Sequence, residues 1–321
     1  MLLYFLFAIG FVLLIKGADV LVAGASSVAR SFGLSDMVVG LTVVSFGTSL
    51  PELIINVLSS LQGQSELAIG NVFGSNVANL LLILGVTAII CPLPINKNTI
   101  LNELPFSLIA TLLVGFLANA TLLYNRTELY ISRVDGIVLL FFFVLFMVYI
   151  YHIAKTNKEE VLAQQSDEPV MPIRKSVLMI VLGAGGLFLG GKWVVDGAVH
   201  IAQSFGMSES FIGLTVVAIG TSLPELVTSA TAAFRRNIDI AVGNVVGSNI
   251  FNLLWILGVS ALIRPLPFDV VSNSDIVMMI FASTLLILAM PLPRKNTIDR
   301  WKGVFFLLIY FSYIGYLVVR G

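Results

Sequence analysis

The sequence contains very few of the residues that build redox centres and metal-dependent enzymes. Of its 321 residues, one is cysteine and two are histidine. The single cysteine, Cys91, excludes an intramolecular disulfide and a cysteine-rich metal site. His152 and His200 are too few for the usual zinc or haem ligand patterns. No nucleophile–base pair is visible either, so we predict that the protein is not an enzyme and has no cofactor.

Charged side chains are also scarce for a chain of this length. They make up 11% of the chain, and the formal net charge is zero. A typical soluble domain has about 25% charged residues. No basic stretch interleaved with aromatic residues is present, so nucleic acid is not an expected partner. In contrast, 58% of residues are hydrophobic and the mean hydropathy is +0.99. These values predict an all-α polytopic membrane protein whose partner is the lipid bilayer.

The apolar runs have the length of about 20 residues that crosses a bilayer as a helix, and they predict ten transmembrane helices. The N-terminal run lacks a basic region and a cleavage site, so we expect a retained helix rather than a signal peptide. The predicted spans are 2–29, 36–60, 66–90, 101–120, 131–153, 173–202, 209–234, 240–263, 274–292 and 301–319.

The loop at 154–172 is the longest and separates a first domain at 1–153 from a second at 173–321. Loops on the side of this linker contain twelve lysine and arginine residues, and those on the other side contain four. The positive-inside rule then places the linker in the cytoplasm and both termini outside.

The two domains repeat each other at a constant offset of 173 residues. Residues 31–94 and 204–267 align without gaps and share 35 of 64 positions. Repetition of this kind governs a fold. Five predicted spans separate each helix from its counterpart, and an odd number means that the halves enter the membrane in opposite directions. The sequence therefore predicts two inverted-topology five-helix repeats, an arrangement common in secondary transporters.

The hexapeptide GTSLPE occurs twice, at 47–52 and 220–225, each time within a long apolar run. A carboxylate inside a membrane segment is costly and marks a functional site by default. The two copies supply Glu52 and Glu225. We predict that these two carboxylates bind a cation near the middle of the membrane.

The proline of each copy is expected to break its helix. Pro51 has no N–H and clashes with the carbonyl four residues earlier, and we expect the carbonyl of Ser45 to be freed as well. Such groups must be satisfied or line a cavity in hydrocarbon. Thr48 and Ser49 precede Glu52 by four and three residues and share its helix face. The second copy presents the same groups on Ala218, Gly220, Thr221, Ser222 and Glu225.

A second motif is duplicated on the third and eighth spans, as GNVFGSNVAN at 70–79 and GNVVGSNIFN at 243–252. Spacings of four residues place its polar side chains in one stripe. Hydrogen bonding between helices, common in membranes, is expected for Asn71, Asn76, Asn244 and Asn249. A role in lining the site is expected for the deeper residues Ser75, Asn79, Ser248 and Asn252.

The candidate ligands are all oxygens, which select hard cations. Calcium takes about six to eight oxygen ligands in flexible geometry, and one calcium ion neutralises two glutamates. Several sodium ions could occupy the same oxygens instead, so the two ions would exclude each other.

These residues closely resemble the α-repeats of the cation/Ca²⁺ exchanger superfamily, specifically its prokaryotic sodium/calcium exchanger-like proteins. The resemblance covers essentially the whole chain. It implies a multi-pass protein of a prokaryotic inner membrane that exchanges Na⁺ for Ca²⁺ by alternating access, in a ratio of roughly three to one, moving one net charge worth roughly 2.3 kcal/mol per 100 mV. It is compatible with a monomer.

The resemblance also implies roles for individual residues. Glu52 and Glu225 would bind calcium, with backbone oxygens of Thr48 and Thr221. Asn79 and Asn252 would line the centre. The sodium sites would be completed by the serines Ser49, Ser222, Ser75 and Ser248, with the carbonyls of Ser45 and Ala218.

Two positions bear on which ion drives transport. Proton-coupled relatives tend to have glutamate in the second motif, where this chain has Ser75 and Ser248 beside glycine, which favours sodium. Potassium-dependent relatives tend to have aspartate at the position of Asn252, so potassium dependence is not expected. The alternatives are a Ca²⁺/H⁺ or other cation antiporter of the same fold and, from another class, a cation channel.

Charged residues also lie outside the centre. Lys16 with Asp19 is spaced for a local ion pair on the first span. Glu66 and Asp239 begin equivalent helices, where an acid suits the helix dipole; they could also draw cations to the two entrances.

Overall fold

The computed structural model describes residues 2–120, 129–156, 171–205, 218–291 and 295–320, and these are mostly helical. The helices before the linker are α1 (Leu2–Phe32), α2 (Asp36–Val39), α3 (Ser45–Thr48), α4 (Leu50–Gln62), α5 (Ser65–Val77), α6 (Leu84–Ile90), α7 (Leu104–Asn119) and α8 (Arg133–Thr156). Those after it are α9 (Ile173–Ser204), α10 (Ala218–Thr221), α11 (Leu223–Phe234), α12 (Ile238–Ile250), α13 (Leu257–Ile263), α14 (Asn273–Ala289) and α15 (Arg300–Arg320).

Four π-helical segments and one 3₁₀ turn continue these helices. The π segments are Gly40–Val44, Ala78–Ile83, Thr99–Glu103 and Phe251–Ile256, and the 3₁₀ turn is Val270–Ser272. The segment at 78–83 joins α5 to α6 without a break, and the one at 251–256 joins α12 to α13.

Eight of the described helices are long and apolar enough to cross a membrane, and a bent pair makes a ninth. The bent pair is Asp36–Thr48 with Leu50–Gln62, at an angle of 49°. These nine coincide with nine of the ten predicted spans. The first part of the predicted seventh span, 209–217, and most of the linker lie outside the described residues.

The joined helices α5–α6 and α12–α13 form the centre of the protein. In the most apolar 18-residue stretch of each, 78% of the residues are buried, against 22–33% in the corresponding stretches of the other long spans. The centre therefore carries the second duplicated motif on helices that neighbouring helices surround.

Helices α1 and α9 pack closely against each other in opposite directions. A Cβ atom on Gly10 would lie 2.9 Å from the carbonyl oxygen of Gly190, and one on Gly17 would lie 2.9 Å from that of Gly183. Only glycine permits backbones to approach so closely. Near one end of the pair, the Ser176 hydroxyl donates to the Ser27 hydroxyl at 2.8 Å.

Two short antiparallel strand pairs join the parts of the chain before and after the linker. Strand β1 (Leu93–Pro94) pairs with β4 (Thr297–Ile298), and β2 (Tyr130–Ile131) pairs with β3 (Leu266–Pro267). Each pair therefore fixes a loop of one part to a loop of the other.

Candidate cation-binding site

The two GTSLPE motifs adopt the same broken backbone. Ser49 separates α3 from α4 with φ −85° and ψ 9°, and Ser222 separates α10 from α11 with φ −87° and ψ 5°. Each proline lies in the first turn of the helix that follows, where its missing N–H costs no helical hydrogen bond. The proline thus breaks one span and starts the next helix.

The two carboxylates lie at these breaks, fully buried. Glu52 is 0% exposed and Glu225 is 1% exposed. The two motifs are in direct contact. The Ser49 hydroxyl donates to Oε1 of Glu225 at 2.9 Å. A hydroxyl of the first motif thus forms a hydrogen bond with the carboxylate of the second.

Three carboxylate oxygens remain available for another partner. Within the described part of the chain, both side-chain oxygens of Glu52 and Oε2 of Glu225 are buried without a hydrogen bond. A buried carboxylate is strongly unfavourable unless it is paired or binds a metal. The geometry therefore fits a cation between the two groups.

Several neutral oxygens of the predicted set are also buried and make no hydrogen bond with any described residue. They are the hydroxyls of Ser75 and Ser222 and the amide oxygens of Asn79 and Asn252. Oxygens of these types are the ones that calcium and sodium accept.

The hydroxyl of Thr48 is used within the protein. It donates to the amide oxygen of Asn244 at 3.0 Å and to the Ser45 carbonyl at 3.3 Å, and it lies 3.5 Å from the Ser248 hydroxyl. The Ser45 carbonyl also accepts the amide N–H of Ser49 at 2.9 Å. The expectation that the proline frees this carbonyl was therefore wrong: the helix continues through Thr48, so Ser45 keeps its donor.

Four asparagines of the second motif form reciprocal bonds between the central helices. Asn79 donates to the amide oxygen of Asn249 at 2.9 Å, and Asn252 donates to that of Asn76 at 3.1 Å. Asn76 also donates to the Asn249 carbonyl at 3.4 Å. The expected interhelical bonding of Asn76 and Asn249 is confirmed. Because the nitrogens of Asn79 and Asn252 are occupied, their oxygens are left for an ion.

Both central asparagines lie in π-helical segments, a feature that helical periodicity could not predict. Asn79 is the second residue of the segment Ala78–Ile83, and Asn252 has the same place in Phe251–Ile256. A π turn frees and redirects backbone groups and often occurs at functional sites. The two segments are equivalent positions of the repeat.

Three residues support the glutamates. Two of them, Asn56 and Ser229, were missed in the sequence, and the interhelical bonding expected of the third, Asn244, is confirmed. Asn56 donates to the main-chain carbonyl of Glu52 at 2.9 Å. Asn244 donates to the carbonyl of Glu225 at 3.3 Å and to the hydroxyl of Ser229 at 2.9 Å. Asn56 and Ser229 each follow a glutamate by four residues, so the shared helix face was the available signal.

Two of the remaining predicted residues, Thr221 and Asn71, are less enclosed. Thr221 is 9% exposed and lines a cavity of about 310 Å³ together with Pro51 and Pro224. Ala218 is the first described residue of its span and lies four residues before the break at Ser222. Asn71 is partly buried, and its amide nitrogen has no hydrogen-bond partner among the described residues.

No group of three or more His, Cys, Asp or Glu side chains gathers anywhere in the described ranges. The chain matches the sodium/calcium exchanger protein family over residues 2–152 and 175–319. It belongs to that family. The match covers both sides of the linker, and the exchanger is accordingly a multi-pass membrane protein, as predicted.

Individual relatives extend over nearly the whole exchanger. It is 31% identical to the sodium/calcium exchanger MaX1 of Methanosarcina acetivorans over 97% of each chain. It is 38% identical to the inner membrane protein YrbG of Escherichia coli, over 84% of this chain and 82% of that one. A solved structure of the sodium-calcium exchanger NCX_Mj superposes with a TM-score of 0.80 at 34% identity, covering 98% of each chain. Family and fold are those of cation/Ca²⁺ antiporters, not of enzymes.

One predicted ion pair of the exchanger differs in the structure. The predicted local partner of Asp19 was Lys16, but Asp19 forms its ion pair with Arg235, which follows α11. Arg235 is 216 residues away in sequence, so spacing along one helix could not reveal it. Asp239 accepts a hydrogen bond from Asn96 at 3.0 Å; the side chain of Glu66 lies outside the described residues.

Proposed function

We propose that the exchanger carries Ca²⁺ in one direction and Na⁺ in the other by alternating access, through one site on its two broken spans. The observation that carries this proposal is the pair Glu52 and Glu225, buried together with three carboxylate oxygens that no described residue satisfies. The proposed ligand residues are Glu52, Glu225, Thr48, Thr221, Ser49, Ser222, Ala218, Ser75, Ser248, Asn79 and Asn252; Ser45 is left out because its carbonyl accepts two hydrogen bonds within the protein.

Charge balance explains why this site would exchange ions. Two carboxylates in the membrane interior are too costly to remain uncompensated. One Ca²⁺ neutralises both, and sodium ions at the same oxygens would do so as well. An antiporter needs the empty site to be too costly to move through the bilayer, because the two ion fluxes are uncoupled if the empty site changes sides.

The contacts suggest that some residues hold the site in place and others bind the ions. Asn244 and Asn56 hold the glutamate main chains, and the reciprocal pairs fix Asn79 and Asn252. These bonds leave oxygens, rather than nitrogens, directed to an ion. We infer that hydrogen bonds from the amide nitrogens form a rigid frame and that carboxylate, hydroxyl and amide oxygens bind the ions.

We further propose that residues 1–153 and 173–321 are two inverted five-helix repeats, giving ten spans in all. Three features support this: the constant 173-residue offset, the opposite directions of α1 and α9, and the crossed pairing of β1 with β4 and β2 with β3. In transporters with inverted repeats, substrate sites lie at the repeat interface near the midplane.

Alternating access would involve movement of α1 and α9 as a unit. Their glycine contacts and the Ser27–Ser176 bond couple the two helices. The cavity beside Thr221 lies between α9 and the second broken span and is our candidate entrance. Following the positive-inside rule, we propose a cytoplasmic linker and external termini in a prokaryotic inner membrane.

Calcium uptake into proteoliposomes tests the proposal. Vesicles loaded with sodium and diluted into sodium-free buffer with radioactive calcium should accumulate calcium, and vesicles without the gradient should not. Uptake driven by a proton gradient but not by sodium would instead favour the Ca²⁺/H⁺ alternative. Unitary currents across a planar bilayer would indicate a channel.

A further inference from the structure

An apolar groove lies beside the first GTSLPE motif. Its volume is about 730 Å³, within the roughly 300–1,000 Å³ of typical small-molecule sites. It lies between α9 and the first broken span. The residues that define it are Phe46, Gly47, Phe143, Gly185, Phe251 and Trp255.

The groove is almost entirely apolar: the indole N–H of Trp255 has no hydrogen-bond partner among the described residues, but that atom is itself buried and is not open to an occupant. No lining residue is charged, and the one hydroxyl, that of Thr42, donates to the Val38 carbonyl at 2.7 Å. Aromatic rings form its floor: Phe251 contacts Phe46 and Phe143 with ring centroids 5.6 Å and 4.9 Å apart. An occupant must therefore be apolar along its whole length.

The groove opens toward the bilayer at the depth of the hydrocarbon. Its lining residues come from the middle of long apolar spans, for example Phe143 in α8 and Val181 in α9. Val181 and Phe46, which line it, are 61% and 44% exposed. The molecules that surround a membrane protein at this depth are lipid acyl chains.

We propose that the groove is a binding site for one acyl chain of a membrane phospholipid. The chain lies against the backbone of Gly47 in the first GTSLPE motif and against the π-helical segment that carries Asn252. Its other side contacts α9. A lipid tail thereby contacts both the ion-site frame and the helix that we expect to move.

Trp255 provides a direct probe of this site. It is one of three tryptophans in the chain, so replacing Trp193 and Trp301 with phenylalanine leaves it as the only strong fluorophore. In bilayers of phosphatidylcholine brominated near mid-chain, a bound acyl chain places bromine beside the indole ring and quenches its emission. Non-brominated phosphatidylcholine gives the unquenched reference.

A groove-filling variant separates a bound chain from general lipid contact. A Cβ on Gly185 would meet no described atom within 4 Å, so Gly185→Phe projects a ring into the groove. Gly315 on α15 is equally open, and Gly315→Phe adds the same ring elsewhere on the lipid-facing surface. We expect Gly185→Phe to at least halve the quenching of Trp255 and Gly315→Phe to leave it unchanged.

Equal quenching in both variants would overturn the proposal, since Trp255 would then sense only the surrounding bilayer. A second measurement needs no substitution in the groove. A chain that keeps only Trp301, which is 82% exposed at the start of α15, should be quenched less by mid-chain bromine than the chain that keeps only Trp255. The reverse order would also refute the site. Neither measurement depends on ion transport.

Discussion

The Ser49 hydroxyl donates a hydrogen bond to Oε1 of Glu225 across a sequence separation of 176 residues. The equivalent hydroxyl, that of Ser222, makes no hydrogen bond with a described residue. The two motifs therefore have the same backbone but different polar contacts. Glu225 is held by a neighbour, whereas the side chain of Glu52 is available on both oxygens.

Neutralising either central glutamate should abolish calcium transport while the protein still folds. Removing one partner of a buried charge pair costs about 3–5 kcal/mol, and about 1.4 kcal/mol is a tenfold change in affinity. We expect Glu52→Gln and Glu225→Gln to lower calcium uptake by roughly a hundredfold or more. Sodium-driven uptake into proteoliposomes measures this.

Glu103 supplies the matched control. It is a buried acid, 2% exposed, that accepts a hydrogen bond from Tyr149 at 2.6 Å outside the ion site. Glu103→Gln removes the same charge from a buried position near the end of a span and should leave calcium uptake near the wild-type rate. Wild-type uptake by either central variant would refute the site assignment.

The reciprocal asparagines should contribute to stability. Asn249→Leu removes the acceptor of the Asn79 amide, and an unsatisfied buried donor costs about 1–3 kcal/mol. We expect unfolding in detergent to shift to lower temperature. The same change at the exposed Asn98 should have little effect. If both variants unfold alike, the asparagine pairs are not part of the structural frame.

The contact between α1 and α9 predicts a strong difference between two glycines of one helix. A Cβ on Gly183 would lie 2.6 Å from the backbone nitrogen of Leu21, whereas one on Gly185 has open space. Overpacking typically costs about 1–3 kcal/mol. Gly183→Val should therefore lower thermal stability, and Gly185→Val should not. Equal stability would mean that the two helices are not in close contact.

The family resemblance implies exchange of roughly three sodium ions for one calcium, and a ratio of this kind makes transport respond to membrane voltage. With sodium inside and calcium outside, each cycle moves one positive charge out, which is worth roughly 2.3 kcal/mol per 100 mV. An inside-positive potassium diffusion potential, set with valinomycin, should accelerate calcium uptake relative to vesicles with equal potassium on both sides. Unchanged uptake would indicate an electroneutral ratio.

The sequence predicted those structural features that follow directly from the chemistry of a single residue type. Pro51 and Pro224 had to break their spans, and the structure has both breaks; Glu52 and Glu225 are buried at them. The apolar runs likewise placed the spans. These features depend on local chemistry, so a single chain is enough to predict them.

Long-range contacts could not be predicted in this way. Asp19 had a nearby lysine at helical spacing, yet its partner is Arg235, which tertiary packing brings to it. The expectation of a freed carbonyl at Ser45 was wrong for a local reason. The helix breaks one residue after Thr48, so the hydrogen bonds before the break remain intact. The π-helical segments that contain Asn79 and Asn252 also left no mark in the helical periodicity of the sequence.

The crossed bonds among the four asparagines also bear on how such a protein could arise. Each half supplies the acceptor for an amide of the other, so a half expressed alone would place these amides in hydrocarbon without partners. A single-repeat ancestor would therefore have been stable only as a dimer of two chains inserted in opposite orientations. The linker between residues 153 and 173 would then be the later addition that made this pairing permanent.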